Sequence, residues 1–344
     1  MKLLLIAAFI CVSVGLWAQK PAGYTRVGRI MSQIPDSSTA TADGIALYIN
    51  SNFVSQSEKS RAVFIWIVRN ISYSFDSMFS VHAYPKPEEI TRRILNTRTG
   101  VCLHYASLFV EIANRVGIRS YVIQGYVKQQ GRVAPIPHMW CAGYVDSVWY
   151  LFDPTWGAGY VSGGRFVREL NNTYFMAKPE NLIRSHMPFD PLWQFLTHPV
   201  TAEEFYKGNY RNALRRNYFN YADTLKAYED AAEYERAMAA ARRIESNGVK
   251  NSFTEAKLRI IRNDLENYRN KLRVDQFNTA VNYFNAGVAE MNRFVAYGNN
   301  QFLPETDTLR IIHMLDSAEY LLNASAEILK KIENPDVGQA GSIM

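Results

Sequence analysis

Three residues of this chain have the types and local settings that thiol chemistry needs: Cys102, His138 and Asp153. Cys102 closes the segment Arg98-Thr99-Gly100-Val101-Cys102, just ahead of an apolar-periodic run from Leu103 to Val116. Leu103, Ala106, Val110 and Ala113 recur at steps of three and four, the spacing of one buried helix face. Gly117 follows as a residue that tolerates a left-handed C-terminal cap. The thiol is thereby placed in the first helical turn, where unpaired N–H groups and the macrodipole favour a negative sulfur. Only a thiolate attacks carbonyl carbon well, so that placement has chemical consequences. Gly100, two residues earlier, lets the backbone approach a substrate closely.

His138 and Asp153 are linked to each other by strand parity. Tyr144-Val145-Asp146-Ser147-Val148-Trp149-Tyr150 reads as a hairpin turning at Asp146-Ser147. With a two-residue loop, Val145 pairs with Val148 and Trp140 falls opposite Asp153. His138 shares a face with Trp140, because side chains alternate along a strand. His138 and Asp153 are then diagonal neighbours, with β-carbons about 7 Å apart. A three-residue loop would put them on opposite faces. In this arrangement His138 takes the thiol proton and Asp153 orients the imidazole.

The remaining histidines carry plainer expectations. His104 points roughly 200° away from Cys102 on a helix. His186 and His198 lie in proline-punctuated loops, His313 in a late helix, and His82 in a loop rich in Tyr and Pro. Each is expected to be a surface or locally hydrogen-bonded side chain. No CxxC, HxxxH or HExxH spacing occurs, so neither a metal site nor a cofactor is expected.

Together these segments resemble the transglutaminase-like superfamily. The resemblance rests on Gly100-Val101-Cys102-Leu103-His104-Tyr105-Ala106, Gly117-Ile118, Gly125-Tyr126, His138-Met139-Trp140 and Asp153-Pro154-Thr155-Trp156. It extends upstream to Arg61-Ala62-Val63-Phe64-Ile65-Trp66-Ile67 and Asn70-Ile71-Ser72-Tyr73, and covers about Ser55 to Pro199. The branch it is most similar to is the kyphoscoliosis-peptidase type with its bacterial secreted relatives. One departure is Met139, where a small residue is commoner. The resemblance implies an α+β papain-like core with the cysteine helix on an antiparallel sheet. It also implies Cys102 as nucleophile, His138 as base and Asp153 as orienting acid, and it places Gly100, Trp140 and Trp156 at the substrate.

The first 18 residues combine one lysine, an apolar run from Leu3 to Val14 and a small residue at Ala18, which reads as a secretory signal peptide. Residues 19–200 are expected to form the transglutaminase-like domain, 201–335 an all-α helical bundle, and 336–344 a tail. Beyond the signal only Cys102 and Cys141 remain, too few for a disulfide scaffold. Cys141 is an odd number of residues from His138 and so lies on the other strand face. Residues 1–200 hold 19 Lys and Arg against 12 Asp and Glu, whereas residues 201–344 hold 19 against 20. This mild basic excess suits anionic surfaces, although ordinary solubility charge is the plainer reading. No basic stripe with interleaved aromatics points to nucleic acid.

In the catalytic half, helices are expected over 41–53, 58–70 and 87–96, with Ser57 or alternatively Ser55 as N-cap of the second. Residues 118–128 read as a strand, and Gly157 to Gly164 as a glycine-rich turn back over the cleft. Pro179, Pro188, Pro191 and Pro199, with Trp193 and Phe195, read as a packed connector. Helices are then expected over 221–246, 253–297 and 306–332. The middle one would run about 65 Å unbroken, so a break or bend is expected within it. Phe277, Val281, Phe284 and Val288 repeat at 4-3-4 spacing, as if packing on partner helices. Two kinds of function follow. In one, an exported thiol acyltransferase acts on amide bonds of a protein, peptide or cell-wall peptide. It would be a peptidase or amidase first, and a cross-linker if a lysine amine resolves the thioester. In the other, an idle scaffold leaves its helical domain to dock a protein or wall partner. Oligomeric state is not legible.

Overall fold

In a computed structural model the described residues are 22–74, 87–210 and 217–333. The expected signal segment, His82 and the C-terminal tail lie outside them. Helix α1 (Ala22–Met31) leads to α2 (Ala42–Asn52), α3 (Gln56–Asn70), β1 (Ser72–Tyr73), α4 (Pro87–Thr97), β2 (Thr99–Gly100) and the cysteine helix α5 (Cys102–Arg115). Then come β3 (Ser120–Gln129), β4 (Arg132–Val133), β5 (His138–Val145), β6 (Val148–Phe152), α6 (Pro154–Ala158) and the β7 (Gly159–Ser162)/β8 (Arg165–Arg168) hairpin. Short α7 (Pro179–Leu182) and β9 (His186–Pro188) precede α8 (Ala202–Lys207), α9 (Tyr221–Asp230), α10 (Glu233–Asn247), α11 (Ser252–Asn299) and α12 (Thr308–Glu333). The class is α+β followed by a helical region.

Local chemistry sets these boundaries. Thr41 caps α2 by accepting from the Gly44 N–H, and Ser55, rather than Ser57, caps α3 by accepting from Glu58 N–H at 3.2 Å. The main sheet runs β4-β3-β5-β6, with β9 added antiparallel to β3. Val145 pairs with Val148, so the turn at Asp146-Ser147 has two loop residues. Both adopt positive φ (48° and 66°), the geometry whose twist matches the flanking strands. The glycine-rich segment begins as α6 and continues into the β7/β8 hairpin, turning at Gly163-Gly164.

The sheet lies between two apolar clusters. On one face, Cys141, Val145 and Phe152 meet α5 through Tyr105, Phe109 and Ile112, with α3 behind. Leu103 and Val110 are only half-buried, so the packed face of α5 is rotated from the expected one towards these larger side chains. On the other face, Trp140, Trp149 and Leu151 pack with Leu192, Phe195 and Leu225. The proline-aromatic connector thus supplies core.

The described chain divides into two compact units, one ending at Glu229 but also holding Arg243–Thr254, the other made of Asp230–Arg242 and the chain from Glu255. Within the first, Arg243 pairs with Asp190 through two bonds of 2.7 and 2.8 Å. Three expectations for the helices are corrected. The helix expected over 221–246 is split into α9 and α10, and α11 runs unbroken for 48 residues. Nor does the Phe277–Val281–Phe284–Val288 stripe pack on a helix as expected: the first three are exposed and Val288 is half-buried. Helix α12 instead packs antiparallel on the neighbouring flank of α11. Ser325 donates to the Ala280 carbonyl there, and a Cβ at Gly287 would come within 2.8 Å of Leu322. Small residues on that flank permit the close approach.

Candidate active site

Strand β5 begins at His138, and β6 ends one residue before Asp153. Antiparallel pairing brings the two side chains together, with His138 Nε2 2.7 Å from Asp153 Oδ2. The carboxylate is fully buried, and it also caps α6, its Oδ1 accepting from Thr155 N–H at 2.9 Å and Trp156 N–H at 3.0 Å. Nε2 is committed to Asp153, which leaves Nδ1 as the other ring nitrogen, and the half-buried Cys102 lies close enough to act on the imidazole. Burial opposes a charge on His138, but the carboxylate beside it and the thiol together raise its pKa to about 10. Burial likewise opposes the charge on Asp153, yet His138 and His186 hold it well below the usual carboxylate range.

His186 is the residue that sequence reasoning misplaced. It was expected to be a loop or surface histidine, and it is buried on β9 with Nε2 3.0 Å from Asp153 Oδ2. Its Nδ1 lies 2.8 Å from Ser185 Oγ. Burial lowers its pKa, outweighing the pull of Asp153, so it stays neutral. One neutral tautomer satisfies both contacts: Nε2–H donates to the carboxylate and Nδ1 accepts from the serine. The placement depends on β9 pairing with β3 at Val127↔His186, and that pairing depends on Gly125. A Cβ at Gly125 would collide with the Met187 carbonyl and come within 2.6 Å of the Trp140 indole. Gly125 was the one available signal, since a glycine inside a strand marks close backbone approach.

Other parts of the site fall as follows. Tyr73 is brought beside Cys102 by the β1–β2 pairing at Tyr73↔Gly100. Burial, and after it Cys102 and Asp153, push its phenol to about 12, so it remains a neutral neighbour of the thiol. Gly100 is buried against His104, whose Cβ an added side chain would meet at 2.6 Å. His104 is itself buried and accepts from the Val101 N–H at 3.2 Å, closing the start of α5. Trp140 is buried beneath the imidazoles, whereas Trp156 is half-buried with its ring 5.4 Å from that of His138. Cys141 is free and buried, on the α5 side of the sheet, and burial raises its thiol pKa.

His138, Asp153 and His186 each offer a ligand atom within 4.8 Å of the others. The spacing is nonetheless that of proton sharing. Two ligands on one zinc at about 2.0–2.1 Å, set at a tetrahedral angle, stand about 3.3 Å apart, and here Nε2 to Oδ2 is 2.7 and 3.0 Å. The cluster does not fit a metal as it stands. What it can do is hold a charged imidazole against a thiol.

A helix-borne cysteine, a strand-borne histidine and a carboxylate at the next strand end thus come together at one end of the sheet. Residues 42–154 of this chain match the transglutaminase-like superfamily. Its likeness extends to the kyphoscoliosis peptidases of Mus musculus and Homo sapiens. Each is 30% identical over 165 residues, covering 45% of this chain and 24% of theirs. The chain therefore matches about a quarter of those relatives' length. A crystal structure of a TGase overlaps 48% of this chain and 40% of its own, at 17% identity and a TM-score of 0.27.

Proposed function

We propose that this protein is an exported cysteine amidohydrolase or peptidase in which Cys102 forms a thioester with an amide substrate. The observation that carries the reading is the buried His138–Asp153 pair beside Cys102, with Nε2 held by a carboxylate that stays charged. The sulfur attacks the carbonyl carbon, and the amide N–H groups that a helix leaves free in its first turn face the growing oxyanion. His138 then delivers its proton to the leaving amine. Water, deprotonated by the same imidazole, attacks the thioester and releases the acid. A lysine amine in place of water would give an isopeptide cross-link by the same steps. The likeness to kyphoscoliosis peptidases and the acyl-transfer geometry support a protein or peptide substrate, including cell-wall peptide. Export rests on the apolar leader of residues 1–18; among the described residues no helix is long and apolar enough to cross a membrane.

Intact-mass spectrometry during incubation with peptide amide libraries tests the reading. A mass adduct on Cys102 that hydroxylamine removes, and that Cys102→Ala lacks, is the expected result. Should turnover survive in Cys102→Ala, the reading is wrong.

A further inference from the structure

The exposed stripe on α11 extends beyond the three residues already named. Val274, Val281, Val288 and Val295 recur every seven residues, and Phe277, Phe284 and Met291 recur every seven residues between them. The steps alternate three and four over three heptads, the pattern of a coiled-coil seam with Val at one core position and Phe or Met at the other. Phe277 and Phe284 are each 51% exposed, and Val274, Val281, Met291 and Val295 are exposed with them. Helix α12 does not cover this seam. It contacts the adjacent flank, where Ala280 and Gly287 stand.

We infer that this seam is the contact between two copies of the chain, related by a two-fold axis. Such an interface sets a surface against itself, so any excess of one charge meets its own kind. Between Val274 and Val295 the charged residues are Asp275, Glu290 and Arg293, all outside the core positions and those flanking them, and Glu290 is paired with Arg293 at 2.6 Å. The flank not covered by α12 carries Asn278, Asn285 and Asn292, one in each heptad and all exposed. A carboxamide is both donor and acceptor, so a row of them can hydrogen-bond to an identical row, as a row of lysines or glutamates cannot. The seam runs about 30 Å along the helix, long enough for three layers of core packing. A neutral apolar seam edged by amides matches itself better than it matches a charged partner.

Sedimentation velocity on the full chain tests this, alongside the double variant Phe277→Glu/Phe284→Glu and the conservative Phe284→Leu. At about 100 μM protein, well above a Kd of order 1 μM, the wild type and Phe284→Leu should sediment as dimers. The Glu pair should weaken association by about 100-fold or more, because it buries four unpaired carboxylates. Its helical circular dichroism and thermal midpoint should match those of wild-type monomer at high dilution, since both side chains start exposed. A wild type that stays monomeric overturns the proposal, whether the seam is then covered by another protein or by the chain's own first unit. A dimer that persists in the Glu variant overturns it as well.

Discussion

At the residue scale, Asp153 gathers four donors: two backbone N–H groups on Oδ1 and two imidazoles on Oδ2. In Asp153→Asn the amide N–H₂ would face both imidazoles, forcing each to accept through Nε2 and reversing the His186–Ser185 bond, in which Nδ1–H would then donate to the hydroxyl. Under the proposed function, thioester turnover is expected to fall about 10³- to 10⁴-fold. From sequence alone this substitution looks sterically quiet, but burial adds a stability loss of about 1–3 kcal/mol, visible in the thermal midpoint. A midpoint within error of wild type would show that the carboxylate is not integral to the core. The same pair shapes the pH response. His138 has a folded pKa above its unfolded one, so its stabilisation is complete below about pH 6.5 and is lost as pH rises towards 10. Asp153 has a folded pKa below its unfolded value, so its contribution holds above about pH 4 and is lost as pH falls through the folded value. Thermal midpoints across pH 3–10 should decline at both ends, and both slopes should flatten in Asp153→Asn. Identical profiles would contradict the assignment. The positions of Cys102, His138 and Asp153 were legible because each sits beside a local marker: a helix start, a strand start and a strand end. His186 was not, because its role comes from a three-residue strand paired across some sixty residues of chain, which no local pattern announces.

At the element scale, the β5/β6 hairpin sets which face Asp153 presents, and β9 sets where His186 lies. Asp146 and Ser147 adopt φ of 48° and 66°, conformations that cost an L-residue about 1 kcal/mol or more. Ser147→Gly should raise stability by about 0.5–1 kcal/mol with activity unchanged, measured by denaturant unfolding. One extra residue inserted in that loop should abolish activity by turning Asp153 to the other face. Gly125→Ala should push β9 off β3 and slow turnover while the α5 contacts survive. A variant with wild-type kcat would remove β9 from the mechanism. Hairpin register was readable because loop length and alternation decide it. The unbroken α11 was not, since helix length is limited statistically rather than by any one residue, and no proline interrupts 252–299. The Phe277–Phe284 spacing reads as a packing seam, but those side chains are exposed and the flank that meets α12 is the small-residue one. Apolar periodicity shows that a face is sticky without showing what covers it.

At the scale of the whole molecule, residues beyond 200 contribute to the first unit. Leu225 of α9 is buried in the cluster under Trp149, and Arg243 of α10 pairs with the buried Asp190. A chain ending at residue 200 would leave that carboxylate buried without its partner, a loss of about 3–5 kcal/mol. It is expected to aggregate or melt early, whereas a chain ending at residue 254 should fold and keep its thiol reactivity. Equal melting of the two truncations, by differential scanning calorimetry, would show that α9 and α10 add nothing to the first unit. Composition marked a change near residue 200, because proline gives way there to helix formers. It could not show that the first helices after that point pack backwards.

The central claim is that His138 activates Cys102. The most direct measurement is the rate of iodoacetamide alkylation of each cysteine at pH 7, read by peptide mapping in wild type and in His138→Ala. Cys102 should label well ahead of the buried Cys141 in the wild type, and its rate should drop by about 10-fold or more when the imidazole is removed. Equal Cys102 rates in the two proteins, or Cys141 labelling first, would contradict the account.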